Sequence, residues 1–502
     1  MTLPPLRLRL LIASLLTVSF LGALDHTIVS TSLSTIAGEL GALDQMSWVI
    51  VSYTLAATVL LPLLGTLGDS LGARRIFLAS LALFIIASIA CGFAQDMTQL
   101  VIARVAQGMS SAGLQLMSQT VVASVTTPRE RPKLLSILGA AFPAAILVGP
   151  VLGGIISDHF GWPWVFWINV PLGVAAFVLA VIAIPHIEGQ PRGRFDYAGA
   201  VTFTLAMVAL VLAISSLPSA GPTATSVGLL AGSALLFAAF FVIELRVEDP
   251  FIPLRIFRDR TVAAGITLSA IIGVGLFSVV SYIPTYIQMA YRTTATVSGL
   301  VPIATVFGML VASLATGFLA SRTGQYRVFA IIGTSLAAAG LGLMALLPVG
   351  APLWIPIALM GLVGIGTGSF MSLIVAVVQS AVPRSLTGSV TATTNLVRQV
   401  GATLGTAVIG AIIGAGIIAR IPAALDPSTL TPQAVRAMSE VTQAEIASIY
   451  SDVLSPVFAA LALTYAVGII AAVLLPVGRL SDDQAPAASD SPETTPTRTQ
   501  TA

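Results

Sequence analysis

Apolar residues in this chain gather in long, nearly unbroken runs, not in the alternating or narrow-striped patterns of soluble strands and helices. A helix rises about 1.5 Å per residue, so about 20 apolar residues cross the roughly 30 Å hydrocarbon core of a bilayer. Seven such runs lie near 8–32, 46–68, 75–94, 99–123, 134–157, 164–185 and 198–217. Seven more lie near 225–245, 261–288, 297–320, 328–348, 353–379, 391–418 and 453–477. Each predicts a membrane-spanning helix, because in lipid a helix satisfies its own backbone polar groups. The intervals are mostly short, so no inserted soluble domain is expected. The longest, Arg420 to Asp452, separates the last two runs, and its last part reads as a short amphipathic helix. The stretch 481–502, rich in Ser, Thr, Pro and Ala, reads as a disordered tail.

Composition narrows the class. Hydrophobic residues make up 56% of the 502 positions and charged ones 9%, with a mean hydropathy of +0.98. A soluble domain carries roughly 25% charge. A net charge of +2 gives no support for a nucleic-acid partner. Cys91 is the single cysteine and cannot form an internal disulfide, and three scattered histidines add no metal-ligand cluster. There is no Gly-rich phosphate loop of the Walker type, so ATP hydrolysis is not the expected energy source. Neither an enzymatic site nor a cofactor is expected.

Charge also sets the sidedness. With the N-terminus cytoplasmic, 18 of the 23 Lys and Arg residues fall on that side, among them Arg74, Arg75, Arg129, Arg131, Lys133, Arg384 and Arg479. Arg292, Arg420 and Arg436 fall outside, while Arg104 and Arg398 lie within runs. Such an asymmetry follows the positive-inside rule. It requires an even number of spans, with both termini cytoplasmic. A basic start followed by an apolar run also fits a cleaved signal peptide, but cleavage would leave an odd number and lose the asymmetry. All five tryptophans (Trp48, Trp162, Trp164, Trp167 and Trp354) fall near the outer ends of runs, as an interfacial belt would.

The chain repeats itself. "GTLGDSLGARR" (Gly65 to Arg75) and "GFLASRTGQYR" (Gly317 to Arg327) align Gly65 with Gly317, Gly72 with Gly324 and Arg75 with Arg327, at an offset of 252. A second pair aligns Pro128 with Pro383, at an offset of 255. The fold expected is all-α and integral to the membrane: fourteen helices in two six-helix bundles related by a pseudo-two-fold axis, plus two linking helices. The bundles would occupy 1–190 and 261–480, with 420–452 as an extracytoplasmic loop, 191–260 as the linking helices, and 481–502 as a cytoplasmic tail. Transporters built on such repeats rock two bundles about a site near the bilayer midplane.

Buried charge then picks out candidate chemistry. Of 21 carboxylates, only Asp25 lies well inside a run. A charge there is costly unless compensated. Ser14, Asp25 and Ser32 share one helical face. A buried acid whose surroundings alternate can exchange a proton with either side of the membrane; it can also sit in a permanent ion pair or cap a broken helix. Arg104 does not titrate, so its role would be electrostatic, or structural with Gln107. Arg398, with Asn395 and Gln399, gives the thirteenth run a polar face. His26 points about 100° away from Asp25 on a helix and reads as a packing residue.

Four motifs in order resemble the major facilitator superfamily, over about residues 8–477. "GTLGDSLGARR" resembles its cytoplasmic loop motif, although Ser70 and Ala73 stand where basic residues are usual. "RVAQGMSSAG" (Arg104 to Gly113) resembles its fourth-helix motif, and "GPVLGG" (Gly149 to Gly154) the fifth-helix motif of exporters. "LDHTIVSTSL" is similar to the first-helix motif of fourteen-helix drug:proton antiporters, with Ser30, Ser32 and Ser34 replacing the usual Asn, Ala and Pro. The resemblance implies proton coupling at Asp25 and Arg104, and a gating loop at Gly65, Asp69, Gly72, Arg74 and Arg75. It also implies an exporter kink at Gly149, Pro150, Gly153 and Gly154.

Cargo contacts are less marked in the sequence. Met109, Gln115, Met117, Gln119, Phe277, Tyr282, Tyr286, Gln288, Phe370 and Met371, with Asn395 and Arg398, are candidates. Met and aromatic side chains adapt to varied apolar ligands, and they equally serve as lipid-facing or packing residues. The expected activity is proton-driven export of amphipathic, hydrophobic or cationic drugs, by a monomer in the inner membrane of a bacterial cell. The rivals are export of a lipid or natural product, and a membrane receptor or scaffold without turnover.

Overall fold

A computed structural model of the chain describes residues 4–40, 45–187, 189, 196–220, 223–247, 250, 252, 254–422 and 431–480. The anticipated tail at 481–502, the boundary at 190/191 and residues 423–430 of the long loop lie outside them. The first half comprises α1 (Pro5–Glu39), α2 (Met46–Leu71), α3 (Ala73–Gly92) and α4 (Met97–Val125). It continues with α5 (Arg131–Gly139), α6 (Ala141–Phe160), α7 (Pro163–Trp167) and α8 (Asn169–Ala183). Two linking helices follow, α9 (Tyr197–Ala220) and α10 (Ala224–Glu244). The second half comprises α11 (Arg260–Ile272), α12 (Ser278–Ala290), α13 (Ala295–Ser298), α14 (Leu300–Thr323) and α15 (Arg327–Ala345). It ends with α16 (Trp354–Ser380), α17 (Thr387–Ile418), α18 (Pro432–Arg436) and α19 (Glu440–Leu474).

The anticipated runs map onto these helices with three refinements. The fifth and sixth runs are each divided into two helical segments, α5 with α6 and α7 with α8. The ninth is interrupted by a π-helical turn, Gly273–Phe277, a feature that concentrates at functional sites. The amphipathic end of the long loop is not a separate helix: residues from Glu440 onward form the first turns of α19 and run straight into the last span. Among the described residues, thirteen spans are long and apolar enough to cross a bilayer. The fourteenth, α4, has 29 residues, about 43 Å. It falls short on hydropathy alone because Arg104, Gln107, Gln115 and Gln119 face inward along it.

The repeat is visible in the backbone. Gly72, after α2, and Gly324, after α14, both take positive φ, +94° and +72°, a region where a side chain clashes with its own backbone. The repeat pair Gly65 and Gly317 lies where the halves meet. A Cβ on Gly65 would lie 2.7 Å from Ala392 Cβ and 2.9 Å from the Gly388 carbonyl oxygen, both on α17. A Cβ on Gly317 would strike Ser136 and come within 2.9 Å of the Pro132 carbonyl oxygen on α5. Two equivalent seams, α2–α17 and α5–α14, therefore join the halves on the side carrying the basic loops. The linking helices pack on each other, and α9 also reaches α2 and α17, with Phe203, Met207 and Val211 meeting Val59 and Leu396.

Candidate functional site

Asp25 lies about three-fifths of the way along α1 and is 1% exposed. Its carboxylate accepts three hydrogen bonds. Arg104 Nη1 on α4 donates to Oδ2 at 2.6 Å, while Gln107 Nε2 and Asn169 Nδ2 donate to Oδ1 at 2.8 and 3.0 Å. Arg104 and Gln107 sit one turn apart on α4, so both reach the same acid. Gln107 is fully engaged: Nε2 also donates to Ser88 Oγ, and Oε1 accepts from Arg104 and from the Cys91 thiol. The guanidinium donates further to the Val49 carbonyl, 3.2 Å away, and lies 4.2 Å above the Tyr53 ring. The chamber thus holds a charge pair whose remaining polar groups are largely satisfied, the condition under which a buried pair is tolerated.

Tyr53 divides this chamber from a second space. Its hydroxyl donates to Ser111 Oγ at 2.7 Å, and both residues line a cavity between the halves with a volume of about 210 Å³. His26, expected only to pack, lines the same cavity and meets Tyr53 edge to face.

Of the residues anticipated for cargo, Gln115, Gln119, Phe277, Met371 and Arg398 line the cavity. Asn395 stands behind them, donating to Gln119 Oε1 at 2.8 Å and accepting from Arg398 Nη2 at 2.7 Å. The rest lie elsewhere. Met109 is 37% exposed on the outer surface of α4. Met117 is buried against Gly68, and Phe370 against Gly333. Tyr286 packs edge-on to Phe458, Tyr282 donates to the Thr406 carbonyl, and Gln288 is half-buried off the lining. These helices are apolar on nearly every side, so residue type says little about which way a side chain turns.

The loop motif forms a contact between halves. Asp69 Oδ1 accepts from the Gly388 amide at 2.7 Å, and Oδ2 from the Ser389 amide and hydroxyl at 2.9 and 2.8 Å. An acid from α2 thereby caps the N-terminus of α17, where the helix dipole favours negative charge. Arg74 donates to the Val181 carbonyl near the end of α8, and Arg75 is exposed. At the equivalent seam the chemistry is reversed. Arg129 donates to the Ser321 and Arg322 carbonyls at the C-terminus of α14, at 3.1 and 2.6 Å.

Comparison with known proteins fits this architecture. The sequence profile of the Major Facilitator Superfamily matches residues 15–406. The chain belongs to that superfamily. An uncharacterised MFS-type transporter of Mycobacterium tuberculosis is 32% identical over 492 residues, covering 96% of this chain and 72% of that protein. The multidrug transporter protein MdtP of Bacillus subtilis is 30% identical over 398 residues, covering 79% of this chain and 73% of that protein. Among solved structures, the human organic anion transporter MFSD10 superposes with a TM-score of 0.60 at 13% identity, covering 94% of this chain and all of that one. The proton:xylose symporter XylE gives 0.58 at 14% identity, over 93% and 96% of the two chains. The chain is therefore a carrier of the facilitator fold, not an enzyme.

Other superfamily motif residues fall into place with one exception. A Cβ on Gly149 or Gly153 would strike Thr27 or Thr31 of α1, so these glycines let α6 lie close against α1. Pro150 sits inside α6 and removes one backbone donor. Gly154 has open space around it and takes no part in the contact. Asn169 escaped the sequence reading although it holds Asp25 directly. Its only signal was an amide in the apolar stretch "FWINVPLG".

Proposed function

We propose that this chain is a proton-coupled antiporter that exports amphipathic small molecules across the cytoplasmic membrane, with both termini cytoplasmic and no cofactor. The observation that carries the reading is a deeply buried Asp25–Arg104 pair, separated by one tyrosine from a cavity shared by both halves. Protonating Asp25 would remove the negative charge that holds Arg104, Gln107 and Asn169 together. That loosens α1 from α4 and α8, and deprotonation on the other side restores the pair. The proton's path thus runs through one bundle while cargo occupies the space between bundles. The names of the relatives from Bacillus subtilis support drug-like cargo.

The test uses purified protein in proteoliposomes with an imposed pH gradient. Wild-type protein should accumulate fluorescent amphipaths against their gradient, and Asp25→Asn should abolish that accumulation while retaining downhill exchange. Retained downhill exchange also shows that the variant is folded. Full gradient-driven accumulation by Asp25→Asn would refute proton coupling at this site.

A further inference from the structure

The inter-bundle cavity carries its charge on one residue. Arg398 projects from α17 into the wall, and among the lining residues there is neither Asp nor Glu. Asp25, the acid closest in sequence to this wall, is turned into its own chamber and saturated by three donors. No carboxylate among the described residues pairs with Arg398. Its Nη2 donates to Asn395 Oδ1, and among the described residues its other guanidinium N–H groups have no hydrogen-bond partner.

The Asn395 contact, backed by Gln119, fixes the guanidinium plane without neutralising it. A guanidinium presents a planar fork of donors suited to carboxylate, sulfonate or phosphate oxygens. Left alone in a low-dielectric wall it is costly, and an anion that pairs with it relieves that cost. Gln115 and Gln399 add further amides to the same wall. The opposite character is also present. Phe142 and Phe277, from different halves, approach within 6.3 Å between ring centroids, and Leu61, Leu114 and Met371 extend that apolar surface.

We infer that this cavity selects amphipathic anions, an aromatic or aliphatic body bearing one carboxylate-like group that pairs with Arg398. The preference is the reverse of the cationic option among the amphipathic, hydrophobic or cationic cargo anticipated from the sequence, because Asp25 is committed to Arg104. A cation in this cavity would find no counter-charge and would face Arg398. The inference deepens the export reading and rests on it for the cavity's role as the cargo site.

The experiment uses three dansyl amides that share one hydrophobic body and end in a carboxylate, an uncharged methyl amide or a quaternary ammonium. Binding to the reconstituted full chain is read by dansyl fluorescence, and proton movement by a pH dye inside the liposomes. Wild-type protein should bind the carboxylate probe about 10-fold or more tightly than the ammonium probe. Arg398→Gln should bring that ratio close to one, and Arg398→Lys should keep part of it. A single symmetric peak on size exclusion for each variant separates lost preference from lost fold. Equal or tighter binding of the ammonium probe by wild-type protein, or an unchanged ratio in Arg398→Gln, would overturn the inference. Carboxylate preference without coupled proton movement would uphold the subsite and remove the antiport reading. Coupled movement driven equally by all three probes would do the opposite.

Discussion

At the residue scale, the chamber around Asp25 consists of one acid and three donors, Arg104, Gln107 and Asn169. Replacing Arg104 with Gln leaves a carboxylate buried with two amides and no counter-charge. Removing one partner of a buried pair costs about 3–5 kcal/mol, so the melting temperature in detergent should fall well below that of the wild type. Asp25→Asn combined with Arg104→Gln should recover part of the loss, because no charge then remains buried. Asn169→Leu should cost less, about 1 kcal/mol, since one neutral donor is lost in a membrane interior; it should also weaken gradient-driven transport. Asp25 and Arg104 were each legible in the sequence because each charge stood alone in its run; that they pair is read from the structure. Asn169 was not legible, since an uncharged amide leaves no mark on hydropathy. Met109, Met117 and Phe370 were misjudged for a related reason: in a helix that is apolar all round, sequence gives length but not rotation.

At the element scale, two helix ends are held across the seams by opposite charges. Asp69 sits on the positive end of α17, and Arg129 on the negative end of α14. Each charge at a helix terminus contributes about 0.3–1 kcal/mol, and up to about 2 when partly buried. Asp69→Asn should therefore shift the population toward the state open on the basic side by up to roughly thirtyfold. Spin labels placed on the basic ends of α2 and α17 would register this as a longer inter-label distance. Arg129→Gln should act in the same direction at the α5–α14 seam, and the two changes should add, because they lie in separate seams. Gly65→Leu should prop the α2–α17 seam apart more strongly than either, as its side chain has no space against Ala392 and Gly388. The loop motif marked Asp69 by resemblance as a gating residue, without its partners on α17. The sequence hid the Arg129 contact, because that bond ends on backbone carbonyls, which every residue carries.

For the whole molecule, span number and the two-bundle plan were readable from run lengths and from the 252-residue repeat. The interruptions of the fifth, sixth and ninth spans at Ala140, Ile168 and Gly273–Phe277 were not, since each is a local change in backbone hydrogen bonding within an apolar run. The seating of the linking helices was also out of reach, because helices that face lipid carry little polar pattern to orient them. That seating breaks the symmetry of the carrier. With α9 laid along both α2 and α17, one side of the molecule is hung like a door on its post, and the other side is the free edge. A greasy molecule dissolved in the bilayer then meets a single threshold, beside α5 and α14, and a photoreactive amphipath added to membranes should label those helices in preference to α2 and α17. Peptide mapping after illumination would reveal the difference, and even labelling of both sides would mean that the post turns as freely as the door.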